Sequence, residues 1–333
     1  MTQPRLAHQT EHGRMYARST SAPPTVPSIT TVIGQQATDL TGWSGYMAAN
    51  HLASHPELRG AAADPGQLRA LVRESASAAE RYRDQAAERG DRVHYYAEQI
   101  ALRHLARDHR VREAREDLAQ HGEHQFADRF DEWWDAYAVE PLAAEATVWN
   151  QEVGYAGTLD LIARIGGRVC LIDFKTKGTD RDGFVKALDE KVVMQLVAGM
   201  KAQELLVDPE AGTWEPFPYG ENPLLLPVAI GQTEVRPMRA RDDVLAHHWY
   251  KFCSLRRVWE TTADATAAGR ALLPIAPPPA PRTVGSAAVA DVTGTDTAGT
   301  MDASAADAPA GTSHRVPSGS TAVSALAGSA TGS

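Results

Sequence analysis

Asp160 and Asp173 stand on either side of Gly166-Gly167, within two apolar runs at residues 157–165 and 168–175. A two-residue Gly-Gly link between such runs predicts a β-hairpin. If the glycines form the turn, Ile165 pairs with Arg168, and counting outward sets Asp160 opposite Asp173. Alternation then groups Asp160, Ile162, Leu171, Asp173 and Lys175 on one face. Leu159, Leu161, Ala163, Cys170, Ile172 and Phe174 take the other face, which is expected to be core. Two carboxylates opposed across strands, with Cβ atoms about 5 Å apart, repel unless a counter-charge lies between them. Hard oxygen ligands at that separation suit Mg²⁺ or Mn²⁺, and a cation held beside a lysine can activate water at a phosphoryl centre. The same spacing also permits a plain surface ion cluster, with Lys175 bridging the two aspartates. Composition weighs on the choice. Only six of the 33 basic residues are lysines, at 175, 177, 186, 191, 201 and 251. A lysine beside the carboxylates of an arginine-writing chain suggests a compact donor rather than a planar fork.

The elements that must position these groups follow from periodicity. Helical spacing is expected over residues 67–89, 91–120 and 123–139, the first two broken at Gly90. Strand-like runs at 145–152, 157–165 and 168–175 follow, then a helix over 183–207. Further strands at 224–230 and 234–238 precede a last helix over 242–260. The fold class is therefore α/β, a small mixed central sheet with its hairpin flanked by helices. On the second helix His94 shares a stripe with Ala97, Ala101 and Leu105, facing the core or the sheet; it reads either as a ligand or as a buried histidine satisfied by Glu98 one turn later.

The residues Gly157-Thr158-Leu159-Asp160 and Leu171-Ile172-Asp173-Phe174-Lys175-Thr176 resemble the core of the PD-(D/E)xK nuclease superfamily. The wider arrangement is similar to its RecB-type branch, in particular exonuclease-like proteins of phages and prophages. Arg89-Gly90-Asp91-Arg92-Val93-His94 stands in the place of that branch's helical His, and Gln195-Leu196 in the place of its Gln. The opening Ser28-Ile29-Thr30-Thr31-Val32-Ile33 and Leu40-Thr41-Gly42-Trp43 also look like such proteins. The resemblance implies a restriction-endonuclease-like core. It implies that His94, Asp160, Asp173 and the backbone carbonyl of Phe174 hold Mg²⁺ or Mn²⁺, that Lys175 orients water or stabilises the phosphate, and that Gln195 positions the lysine or the DNA. Glu145 matches a Glu that serves as a further ligand or support, with a helix-capping or surface role as the alternative. Gly199 stands where the branch has Tyr, Leu159 replaces the proline of the superfamily's name, and Asp91 stands where Thr or Ser is common. DNA is the implied partner, with a single-strand annealing or recombinase protein. The implied activity is a deoxyribonuclease of recombination or repair, an exonuclease; an endonuclease with the same core and a non-catalytic DNA-binding module are the rivals.

Length and charge bound the rest. The chain has 333 residues, 33 Lys+Arg against 42 Asp+Glu, a net charge of −9 and two cysteines. Two cysteines exclude a four-thiolate zinc or iron–sulfur site and a disulfide scaffold. No apolar run approaches the length of a membrane helix, and a cytoplasmic protein without membrane partners is expected. The acidic balance argues against coating nucleic acid by bulk charge and leaves room for a local site. Residues 1–24 are expected to be disordered, 25–262 to form the catalytic domain, and 263–333 a Pro-rich exit with a disordered tail. From Thr283 to Ser333, Ala, Gly, Ser and Thr fill 36 of 51 positions, too little apolar surface to offset ordering entropy. Secondary signals are the arginines Arg81, Arg83, Arg89 and Arg92, read as phosphate contacts or as a solvated mixed-charge face. Trp133-Trp134 with Tyr137 read as base-stacking rings or as core.

Overall fold

Each strand and helix can be traced to a local cause, beginning near the N-terminus. The computed structural model describes residues 4–277, of which residues 4–263 form one compact unit. Three short strands, β1 (Ala7–Thr10), β2 (Gly13–Ala17) and β3 (Pro24–Pro27), pair antiparallel as a small sheet. This corrects the expectation of disorder over residues 1–24 for the part described. Leu6, Tyr16 and Ala17 are fully buried, Leu6 and Tyr16 against Trp149 and Ala156, a contact that the local sequence cannot advertise. Ser28 then caps the short helix α1 (Ile29–Ile33), its hydroxyl accepting from the Thr31 N–H at 2.9 Å.

Helices α2 (Thr41–Ser54), α3 (Leu58–Ala61), α4 (Pro65–Ala76) and α5 (Ala78–His104) follow. Asp64 caps α4 and Pro65 opens it, the favoured order at a helix start. α5 runs straight through Gly90, which corrects the expected break there. A helical glycine costs about 1 kcal/mol, less than the burial of Val93, Tyr96, Ala97 and Ile100 returns. At 27 residues, α5 is about 40 Å long. The chain then turns at Ala106, whose φ is +52°, into α6 (Val111–Gln120) and α7 (His124–Ala136).

Next come β4 (Glu140–Asn150), β5 (Tyr155–Ile165), β6 (Arg168–Thr176), α8 (Lys191–Met200), β7 (Glu204–Asp208), β8 (Thr213–Pro216), β9 (Leu224–Ile230), β10 (Val235–Pro237) and α9 (Leu245–Ala267). The strands form one seven-stranded mixed sheet in the order β10-β9-β6-β5-β4-β7-β8. Every pairing is antiparallel except β6 with β9. The helix expected over 183–207 shrinks to α8, because residues 204–208 leave it to pair with β4 as β7.

The sheet is buried on both sides, so the expected split into one polar and one core face is corrected. On one side Leu161, Ala163, Cys170, Ile172 and Phe174 pack against α5 and α7. On the other, Ile162 and Leu171 meet Leu196 and Val197 of α8. Leu159 joins this second cluster rather than the first, and the break in alternation falls opposite Glu145 of β4, which has φ +49°. Trp133 and Trp134 are both buried and surround Phe130, while Tyr137 is exposed. These tryptophans are core, and the base-stacking reading is withdrawn for them. The tail from 283 lies outside the described residues.

Candidate active site

The hairpin turn is as the glycines imply. Gly166 and Gly167 have φ of +55° and +78°, values that a type I′ turn needs and other residues resist. The ladder runs from Ile165 opposite Arg168 to Leu161 opposite Ile172 and stops there. One step further the register brings Asp160 level with Asp173, at the mouth where the two strands part. The parting leaves the Phe174 N–H without a partner on β5, and the Asp160 carboxylate takes it, with Oδ2 accepting at 2.8 Å. β6 keeps its other neighbour: the parallel ladder sets Asp173 against Pro227 and Lys175 against Ala229. The two aspartates are thus held by backbone on one side and open to side chains on the other.

α5 supplies one of those side chains, His94, and β6 itself the other, Lys175. His94 Nδ1 lies 3.5 Å from Asp160 Oδ2, with both side chains 11% exposed, and the imidazole stands edge-on to Phe174 at 6.2 Å between centroids. Lys175 Nζ lies 2.5 Å from Asp173 Oδ2, with the lysine 37% exposed and the aspartate 4%. The Lys175 ammonium pairs with the Asp173 carboxylate, whereas His94 Nδ1 is a buried polar atom without a hydrogen-bond partner. Such orphans are rare, because each costs about 1–3 kcal/mol.

The electrostatics follow from burial around mixed charges. Burial pushes the Asp173 carboxyl up to about 6, against the pull of Lys175 and with the push of Asp160. Asp160 is raised by burial too, with Lys175 and the Phe174 N–H working the other way. Burial and the Lys175 charge hold His94 down to about 4, so its imidazole is neutral at pH 7. Burial works against the Lys175 ammonium, yet Asp173 and Asp160 hold it above its ordinary value. Glu145 is half-buried in the middle of β4, level with Asp160, and neither caps a helix nor projects freely. Burial, then Asp160, then Glu98, raise it to about 9.

Among the described residues, no three His, Cys, Asp or Glu side chains form a ready-made cage for an ion. The donor set still fits a hard divalent cation. Two carboxylates and a neutral imidazole lie together, and the imidazole Nδ1 is buried without a hydrogen-bond partner. What the structure shows of Phe174 is its engaged N–H; its carbonyl makes no contact with these side chains in the hydrogen-bond pattern.

Beside this cluster lies a cavity of about 330 Å³, lined by His94, Lys175 and Gln195 and floored by Gly90, Ala86 and Ala87 of α5. Gln195 therefore reaches the same space as the lysine. Gly199, one turn further along α8, does not: a Cβ there would lie 2.5 Å from Leu159 Cδ2, so the helix seats on the sheet too closely for any ring. Two arginines read as phosphate contacts are already engaged, since Arg92 makes a paired contact to Glu123 at 2.7 and 2.8 Å and Arg89 approaches it at 3.4 Å. Sequence reasoning missed Lys191 and gave Lys177 no role, and both line the cavity. The clustering of four of the six lysines between 175 and 191 was the signal available.

No protein-family model matches the chain, and no match to a curated protein is found. No helix among the described residues is long and apolar enough to cross a membrane.

Proposed function

We propose that the protein is a divalent-metal-dependent nuclease that hydrolyses phosphodiester bonds of DNA, acting from strand ends. The observation that carries this reading is the meeting of His94, Asp160, Asp173 and Lys175 at the parted end of a hairpin, beside a cationic cavity whose wall includes His94 and Lys175. A mixed sheet with the hairpin inside it and helices on both faces agrees with the restriction-endonuclease-like core that the sequence resembles. Asp160, Asp173 and His94 would hold Mg²⁺ or Mn²⁺, with Glu145 close by. Bound there, the cation would lower the pKa of water and offset charge on the phosphate. The chain's own residues do the rest. The Phe174 N–H fixes the Asp160 carboxylate in place. Neutral His94 offers a lone pair rather than a competing charge. Lys175, charged and movable, orients the attacking water or donates to a non-bridging oxygen, and Gln195 faces it across the cavity.

A second reading is a DNA-binding module that keeps the fold without turnover. It is favoured by the direct Lys175–Asp173 pair and the absence of a ready-made cage among the described residues. One experiment separates the two. End-labelled linear and closed circular DNA are incubated with Mg²⁺, Mn²⁺ or EDTA, using wild type and Lys175→Ala. Metal-dependent loss of label, reduced at least about 100-fold by Lys175→Ala, is expected. Activity that survives EDTA, or is equal in Lys175→Ala, sinks the nuclease reading, and cutting of closed circles assigns an endonuclease.

A further inference from the structure

Three lysines, Lys175, Lys177 and Lys191, line the cavity beside the carboxylates, half of all the lysines in the chain. Lys175 faces the carboxylates, and the other two do not. Among the described residues neither Lys177 nor Lys191 has a carboxylate within 4.0 Å. The acid on the cavity wall, Asp189, accepts the Lys191 N–H through Oδ1 at 2.8 Å and so fastens the start of α8, and its charge acts on Lys177 from beyond ion-pair distance. Lys191 Nζ reaches only a hydroxyl, Thr38 Oγ1, at 2.6 Å. Thr176, also on the wall, has a buried Oγ1 with no hydrogen-bond partner. Because Lys191 and Val192 open α8 on this wall, the helix's positive end faces the cavity as well.

Ammonium groups without a contact ion pair around a shared cavity repel each other and are partly desolvated there, and burial holds the Lys177 amine below its ordinary value against the pull of Asp189. Cations that repel one another and have no contact carboxylate fit a site for an anion. The size limits the choice, since about 330 Å³ is at the small end of ligand pockets. The placement limits it further. Lys177 stays in line with β6, its N–H donating to the Ile230 carbonyl at 2.9 Å, so it lies two residues, or about 6.7 Å, beyond Lys175. That is about one nucleotide step of an extended strand.

We propose that Lys177 and Lys191 form a phosphate subsite that holds the substrate strand one phosphate away from the group attacked at Asp160 and Asp173. The inference rests on the nuclease reading, and it adds the residues that set register on the strand. The phosphate is either a backbone diester or a terminal monoester, and both present the same oxygens to the same donors.

The test measures binding and cutting separately with the full chain. Short single strands with hydroxyl ends, a 5′-phosphate or a 3′-phosphate are titrated by fluorescence anisotropy in Ca²⁺ at several salt concentrations, and cleavage is followed in Mg²⁺. Lys177→Gln and Lys191→Gln are each expected to weaken binding about tenfold and to lower the salt slope by about one. Lys177→Arg should keep the slope, which separates lost charge from lost fold, and Lys251→Gln on α9 serves as a control away from the cavity. A loss on every strand assigns the subsite to a backbone diester, and a loss only on one phosphorylated end assigns it to that monoester. If wild type cuts while both Gln variants bind as it does with the same slope, the subsite is overturned and the nuclease reading stands. If wild type neither binds nor cuts, the nuclease reading falls and takes the subsite with it.

Discussion

Asp173→Asn should make the metal-free protein more stable while abolishing its activity. The carboxyl is 4% exposed and its only close cation is Lys175, and burial raises its pKa from 3.8 to about 6. At about 1.4 kcal/mol per pH unit, that rise amounts to roughly 3 kcal/mol of destabilisation. The sign is that of an acid whose folded pKa lies above its unfolded one: the cost is fully present above pH 6 and disappears as pH falls to 3.8. Asparagine keeps the shape and removes the charge, and Lys175 is exposed enough to turn to water. In EDTA at pH 8 the variant should therefore unfold about 3 kcal/mol later, or about 6–12 °C higher for a domain of this size. The difference between the two proteins should close between pH 8 and pH 4. His94 works the other way, losing stability as pH falls below 6.5 toward about 4, and because the Asp173 charge raises the His94 pKa, part of this stays in the difference. Mn²⁺ should raise the melting temperature of wild type by mass action and leave the variant's unchanged. Differential scanning calorimetry over this pH range decides it. A variant no more stable than wild type at pH 8, or a gap that does not depend on pH, refutes the account of Asp173 as a destabilising, cation-seeking charge.

The cutting rate at subsaturating metal should fall as pH drops through about 6, where Asp173 takes up its proton, while His94 stays neutral down to about 4; an initial-rate profile flat to pH 5 would contradict this. Gly199→Ala should cost about 1–3 kcal/mol by overpacking, since its Cβ meets Leu159 at 2.5 Å, and urea unfolding measures it. Glu145→Gln should stabilise the metal-free protein increasingly as pH rises from 4.5 toward 9, because wild type must hold a proton there that the unfolded chain releases. Melting temperatures at pH 5, 7 and 9 check the trend.

How much of this was legible depended on whether the determining contacts were local. The hairpin was readable because Gly166-Gly167 fix the turn, and a turn fixes register outward to Asp160 and Asp173. His94 was readable because a helix face repeats every turn. The continuity of α5 through Gly90 was not, since it depends on α6 and α7 covering Val93, Tyr96 and Ile100. β1 and β2 could not be seen because Leu6 and Tyr16 are buried by Trp149 and Ala156, more than a hundred residues away. β7 looked like the end of a helix until β4 claimed it. The second buried side of the hairpin escaped notice because Ile162 and Leu171 look like interruptions of a polar face until α8 packs on them. Lys191 was missed for a similar reason, since only the loop from 178 to 190 brings the start of α8 back beside β6.

The parallel partner of β6 has a consequence in time. A ribosome that has reached Thr176 has already made His94, Glu145, Asp160, Asp173 and Lys175, but β6 is then the bare edge of an unfinished sheet. Its outer neighbour, β9, begins only at Leu224, and α8, which covers the back of the hairpin, must also have emerged. The carboxylates, His94 and Lys175 are thus translated before β9 and α8, which hold the hairpin in place. Any cutting by this protein must wait until β9 has emerged, and nascent fragments stalled before Leu224 should carry the carboxylates in silence.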